Sequence, residues 1–207
     1  MKIPDELRRL LLAGGEPGAT YRQCLEWIAA NAVEADYGLT ETVVYATEVR
    51  YALDVIRTGR IERLWNFGDL QGGADQRLWR ILDEITPLKV AFVGSGPYPV
   101  TALLLHQRYP QAPITCIDNN ITAHLLSEAV IQRLEVPIET CFVEATEVDY
   151  SPFTVVVAAA MVSGKKQFVE KLLAESECLV ILRGWVDLQH PRLISMSSTF
   201  RDDGSLG

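Results

Sequence analysis

The stretch Lys89–Asn120, KVAFVGSGPYPVTALLLHQRYPQAPITCIDNN, decides the fold. Lys89 to Val93 has the character of a buried strand and runs into Gly94-Ser95-Gly96. A helical segment follows, and a second apolar run closes on Asp118, twenty-two residues after Gly96. Strand, glycine turn, helix and a strand ending in an acid is how a doubly wound parallel sheet begins, and such sheets bind ligands outside the carboxyl ends of their strands. The glycines let a nucleoside approach the main chain. Asp118 can accept hydrogen bonds from ribose hydroxyls, with Asn119 next to it at the strand end. A bare GSG is as readily a tight turn, and Asp118 as readily an exposed strand terminus; the strand context and the spacing tilt the reading towards a ribose site.

The choice of nucleoside follows from what surrounds the loop. A dinucleotide fingerprint needs a third small residue and an open helix N-terminus for pyrophosphate, whereas this chain has Pro97, Tyr98 and Pro99 there. The absence of GK[ST] excludes a P-loop. A glycine loop and a ribose carboxylate without a phosphate cradle suit an adenosyl ligand such as S-adenosylmethionine.

Outward from this stretch the two halves of the chain differ in texture, meeting near Pro87. Downstream, short Val, Ile and Ala runs alternate with amphipathic segments, which predicts strands at 139–144, 153–159, 178–183 and around 193–200, besides those at 89–93 and 114–118. Upstream the apolar spacing is helical in IPDELRRLLLA, YRQCLEWIAANAVEA, TETVVYATEVRYALDVIRTG and ADQRLWRILDEI, with Gly or Pro at the breaks. The expected fold is α/β: a class I methyltransferase-like (Rossmann-like), doubly wound, mainly parallel sheet with an N-terminal helical extension. Residues 1–86 are expected to be a helical cap packing on the active site, and 87–207 the S-adenosylmethionine-binding domain.

Composition narrows the class. The chain has 207 residues, 48% hydrophobic and 22% charged, which is globular and too short for two full domains. A formal net charge of -8 leaves no footprint for nucleic acid or anionic membrane. Cys24, Cys116, Cys141 and Cys178 are widely spaced and read as small buried hydrophobes, and His106, His124 and His190 add no ligand spacing, so no metal is expected. The apolar part of MKIPDELRRLLLAGGEPG is too short for a signal or a membrane span, which gives a cytoplasmic expectation. The expected partner is a small-molecule substrate, with a homodimer admissible.

The stretch VAFVGSGPYPVTALLL, Val90–Leu105, resembles the VAF(V/I)GSGPLPLT signature of nicotianamine synthases, down to Phe92 where methyltransferases more often carry an acid. LWNF at Leu64–Phe67, VVVAAAMVSGKKQFVEKL at Val155–Leu172 and ILRGW at Ile181–Trp185 resemble further tracts of that family in the same order. The resemblance spans about Glu41 to Phe200. One departure is chemical: where the family has PYYDNY, this chain has Gly68-Asp69-Leu70-Gln71-Gly72-Gly73 and lacks the tyrosines that hold an acceptor substrate.

The resemblance implies chemistry at the sulfonium of S-adenosylmethionine, with attack at the γ-carbon of the aminobutyrate arm and release of methylthioadenosine. If the nucleophile is the molecule's own α-amine, the product is azetidine-2-carboxylate, the reaction of small bacterial synthases similar to this family. Transfer of the arm to an external amine and ordinary methyl transfer are the alternatives. By the resemblance Glu48 is the candidate carboxylate for the amine, although a solvated helix face is the competing reading with Glu41, Asp54 and Glu62 close in sequence. Asn66 could fix the substrate's carboxylate or amine, or serve a turn. Tyr98 is the expected cation–π partner of the sulfonium, ahead of Tyr45 and Tyr51. Thr146 or Glu147 would meet the adenine amine or merely cap a helix. Ala158, Ala159 and Met161 would leave room beside the sulfur, and Arg183 would pair with the substrate carboxylate or with a surface acid.

Overall fold

The computed structural model describes residues 3–13, 17–31, 37–61, 74–159, 162, 164–183 and 187–196. Its centre is a six-stranded sheet made of β1 (Val90–Val93), β2 (Ile114–Asp118), β3 (Ile138–Phe142), β4 (Val155–Ala158), β5 (Leu179–Arg183) and β6 (Leu193–Met196). The strands lie in the order β3-β2-β1-β4-β5-β6 and every pair is parallel. This is the Rossmann-like, class I methyltransferase-like arrangement, whose direction of winding reverses between β1 and β4.

Alternation along the strands explains why the central ones are wholly apolar. Val90 and Phe92 of β1, with Val155 and Val157 of β4, face one core; Ala91 and Val93, with Val156 and Ala158, face the other. Helices cover both sides. The first core takes residues from α3 (Tyr37–Thr58), α4 (Ala74–Leu82), α5 (Val100–Arg108) and α6 (Ile121–Leu134); the second takes Phe168, Val169 and Leu172 of α7 (Lys165–Glu175). A third, smaller core joins α1 (Asp5–Leu12), α2 (Pro17–Asn31) and the first half of α3 through Leu7, Cys24, Ile28, Leu39 and Val43.

Helix α3 therefore belongs to two cores. Val43 is buried among α1 and α2, while Tyr51, Ala52 and Val55 are buried against the sheet layer. Glu48 lies between these anchors, so its position is held from both ends. Asn120 starts α6 by accepting the N–H groups of Thr122 and Ala123, and Glu135 ends it in the left-handed region at φ 55°.

Several expectations shift. The strand expected at 139–144 is Ile138–Phe142, because Glu144 already leads into the 3₁₀ turn Ala145–Glu147. The strand expected from 153 starts at Val155, since Phe153 closes a turn on the Tyr150 carbonyl. Residues 197–200 of the last expected strand lie outside the described residues. Cys24, Cys116 and Cys178 are buried as expected, whereas Cys141 is exposed because β3 is the open edge of the sheet. Among the described residues no helix is long and apolar enough to cross a membrane.

Candidate functional site

The parallel strands end on one side, and their termini converge on a cavity of about 480 Å³, within the range of roughly 300–1,000 Å³ usual for a small-molecule site. Four neighbouring strands supply wall residues at or just past their ends: Gly94 after β1, Asp118 at the end of β2, Glu144 after β3 and Ala159 after β4. Main-chain bonds hold these ends in register. Gly94 and Ala159 donate to Ile117 and Val93 carbonyls, each at 2.9 Å, and Val143 donates to Asp118 at 3.2 Å. The opposite wall is one face of α3, with Glu41, Tyr45 and Glu48 spaced four and three residues apart.

Asp118 organises the glycine loop before any ligand is considered. Its Oδ2 accepts the Gly96 N–H and its Oδ1 the Asn120 N–H, both at 2.9 Å. The loop turns at Gly94 (φ 72°) and Gly96 (φ 67°), in the region that glycine adopts without strain. At Gly96 a side chain would also collide: a Cβ there would lie 2.5 Å from Glu48 Oε2. The carboxylate of α3 thus rests directly on the loop that follows β1.

This closeness sets the electrostatics. Burial and the neighbouring Asp118 push the Glu48 carboxyl up to about 8, against the opposing pull of the Arg183 guanidinium. Tyr21 of α2 is pushed up to about 12 by burial and by the Glu48 charge. Tyr45 is raised by burial and by Asp118 and Glu48, with a hydrogen bond to Asn120 opposing. A buried carboxyl beside a second carboxylate is poised to exchange a proton near neutral pH.

Of the residues expected from sequence, Glu48, Gly94, Gly96, Asp118, Asn119, Thr146 and Ala159 all line this cavity. Asn119 also donates to Glu144 Oε1 at 2.8 Å, linking the ends of β2 and β3. Ser95, Pro97 and Ala158 are buried behind the wall, and Glu147 is exposed beyond it. Asn66 and Met161 lie outside the described residues.

Two expected contacts need correction. Tyr98 does not line the cavity: it is 1% exposed, its ring stacks on Tyr51 at 5.4 Å, and it belongs to the core under α3. The loop's second proline carries the chain into α5, so the tyrosine before it turns inward; the tyrosine that lines the cavity is Tyr45. Arg183 also stands behind the wall, where its Nη1 donates to Thr101 Oγ1 at 2.7 Å and its charge acts on Glu48.

Sequence reading missed other wall residues. Gln167 and Phe168 come from the first turn of α7, with Val162 and Gly164 before it. The rule that ligands lie where the winding reverses could have indicated the segment after β4. Tyr21 had no such signal, because only the folding of α2 onto α3 brings it near Glu48.

A family model described as nicotianamine synthase protein matches residues 76–184. Among solved structures, a glutamate-to-glutamine mutant of MtNAS is similar with a TM-score of 0.58 and 16% identity, over 87% of this chain and 82% of that one. The same mutant in complex with S-adenosylmethionine gives 0.55 and 18%, over 87% and 81%. MtNAS in complex with MTA and tNA gives 0.54 and 17%, over 83% and 77%. At these identities the likeness establishes the fold. No curated protein matches the chain.

Proposed function

As this chain belongs to the nicotianamine synthase family, we propose that it is an S-adenosylmethionine-dependent enzyme that cyclises its substrate to azetidine-2-carboxylate and methylthioadenosine. In this reaction the α-amine attacks the γ-carbon. The new N–C bond forms as the C–S bond breaks, the sulfonium keeps the bond's electron pair as a neutral thioether, and the amine's proton passes to a base. No second substrate enters.

The observation that carries the reading is the Glu48 carboxyl resting on the glycine loop beside Asp118, inside one small cavity. Its raised affinity for a proton suits a group that takes one from an ammonium. The cavity wall carries Glu41, Glu48, Asp118 and Glu144 and, among the described residues, no lysine or arginine. Such a wall favours a sulfonium and an amine over an incoming acceptor that brings carboxylates of its own. The stretch Gly68–Gly73, which lacks the tyrosines of the family tract, points the same way. Within this reading residues 1–86 act as the cap, contributing Glu48 and Tyr45, and residues 87–207 hold the adenosyl group. Asp118 and Asn119 take the ribose, Thr146 lies towards adenine, and Tyr45 replaces Tyr98 as the aromatic nearest the sulfonium.

Incubation with S-adenosylmethionine alone tests the reaction. The expected products are equimolar methylthioadenosine and azetidine-2-carboxylate, with a rate that saturates in the single substrate and does not rise when amino acids are added. A strict requirement for an added amine, with an open-chain adduct, would replace cyclisation by aminobutyrate transfer, and S-adenosylhomocysteine as product would make the protein a methyltransferase. The ribose assignment has its own test. Asp118→Ala is expected to weaken S-adenosylmethionine binding by about 1–3 kcal/mol, since charge-assisted bonds to ribose are lost together with the anchors of Gly96 and Asn120. Calorimetry showing wild-type affinity would remove the assignment.

A further inference from the structure

Gln167 stands in the first turn of α7 and lines the cavity beside Val162, Gly164 and Phe168. No hydrogen bond among the described residues occupies its side-chain amide. Helix periodicity and one hydrogen bond fix what this amide faces. Lys171 is four residues further on, hence on the same face of α7, and its Nζ donates to the Thr146 carbonyl. The turn Ala145–Glu147 packs on this helix and is held a second time by the Tyr150 hydroxyl, which donates to the Ala145 carbonyl at 2.9 Å. Gln167 therefore stands beside the same turn, one helical turn nearer the strand ends. Ala145, Thr146, Gln167 and Phe168 all line the cavity.

What such a place recognises follows from its groups. Val143, Ala145 and Phe168 offer apolar surface to a flat ring. A primary amide sets one acceptor and a pair of donors side by side. That is the complement of an aminopurine edge, where an amine donor stands next to a ring-nitrogen acceptor. A carboxylate or an ammonium uses only half of the amide, because each presents one kind of partner. We propose that Gln167 is a specificity residue that reads the amine edge of the substrate's adenine, its Oε1 accepting from the exocyclic amine and its Nε2 donating to the neighbouring ring nitrogen. The proposal rests on the S-adenosylmethionine reading and adds to it the side chain that selects the base.

The test is calorimetry with two nucleosides, methylthioadenosine and its analogue with hydrogen in place of the exocyclic amine. Each is titrated into wild type and into Gln167→Met, which keeps an unbranched chain of similar length without the amide. Wild type is expected to prefer methylthioadenosine by about 10–100-fold, the discrimination of a bidentate amide–adenine pair. Gln167→Met should lose that preference by weakening methylthioadenosine alone, while the analogue binds nearly as it does to wild type. Should the methionine variant fail to fold, Gln167→Leu carries the same expectation. Equal weakening of both nucleosides would make Gln167 a packing residue, and an unchanged preference would place the amine elsewhere; either overturns the proposal. Asp118→Ala run in parallel separates the two levels, since both nucleosides carry the ribose and should weaken alike. If wild type binds neither nucleoside, the S-adenosylmethionine reading fails and this proposal fails with it. Binding that Asp118→Ala weakens, with a preference that survives in Gln167→Met, overturns the Gln167 role alone.

Discussion

Replacing Glu48 by glutamine is expected to lower kcat by about 10²–10⁴-fold, the range typical of losing a general base, while S-adenosylmethionine still binds. The side chain keeps its size, so the packing against Gly96 survives and only proton transfer is lost. The pH profile should carry the same signature. Wild-type kcat/KM, which reports the free enzyme, is expected to rise with pH through about 8, where Glu48 ionises. The kcat limb should lie lower, because a bound sulfonium favours the ionised carboxylate. Equal losses in affinity and turnover would make Glu48 a binding residue only.

Stability supplies an independent check with a definite sign. The folded Glu48 holds its proton up to about 8, against 4.5 for an unperturbed glutamate, so between those values the native state binds more protons than the unfolded chain. Its contribution is fully present below about 4.5 and is lost as pH rises towards 8. Glutamine does not titrate. The melting temperature of Glu48→Gln should therefore gain on wild type as pH rises from 4.5 to 8 and hold its lead above that. A constant difference across that range would show that the carboxyl is not desolvated in the folded protein.

Gly96→Val is expected to abolish detectable turnover and S-adenosylmethionine binding. Two costs combine there. The backbone at φ 67° is unfavourable for a residue with a Cβ by about 1–2 kcal/mol, and the added atom would lie 2.5 Å from Glu48 Oε2. The carboxylate would have to leave the loop, dragging α3 or breaking the arrangement beside Asp118. Gly164 is the steric control, since it has a similar φ of 60° but, among the described residues, nothing nearer to a Cβ than Gln167 Oε1 at 3.9 Å. Gly164→Ala should cost only the backbone strain, about 1 kcal/mol, in thermal unfolding. Initial rates, calorimetry and thermal unfolding on both variants check the contrast. Binding retained in Gly96→Val would mean that the ligand does not use this loop.

The amino-acid sequence by itself determined what depends on neighbours along the chain. The strand-turn-helix of β1, the acid at the end of β2 and the buried character of β4 and β5 were all legible, because an apolar run flanked by glycine or a turn admits few local structures. From these the crevice at the strand ends followed, and with it Gly94, Gly96, Asp118 and Asn119. Boundaries were less legible: β3 and β4 are shorter than their apolar runs, since hydrogen bonds in the flanking turns compete for the terminal residues.

Tertiary structure decided everything that depends on which face a side chain takes. Tyr98 and Tyr45 are both tyrosines near the site, and only the turn into α5 sends the first into the core against Tyr51 and leaves the second on the cavity wall. Arg183 and Glu48 are far apart in sequence, and the guanidinium acts on the carboxyl only in the folded molecule. The contact of Glu48 with Gly96 is of the same kind. It exists because α3 is buried at one end among α1 and α2 and at the other against the sheet, and a helix anchored at both ends must hold its middle residue over whatever lies between. A one-dimensional pattern records which residues are apolar and at what spacing; the charge on a glutamate depends on the dielectric and the charges around it, and those are properties of the packed molecule alone.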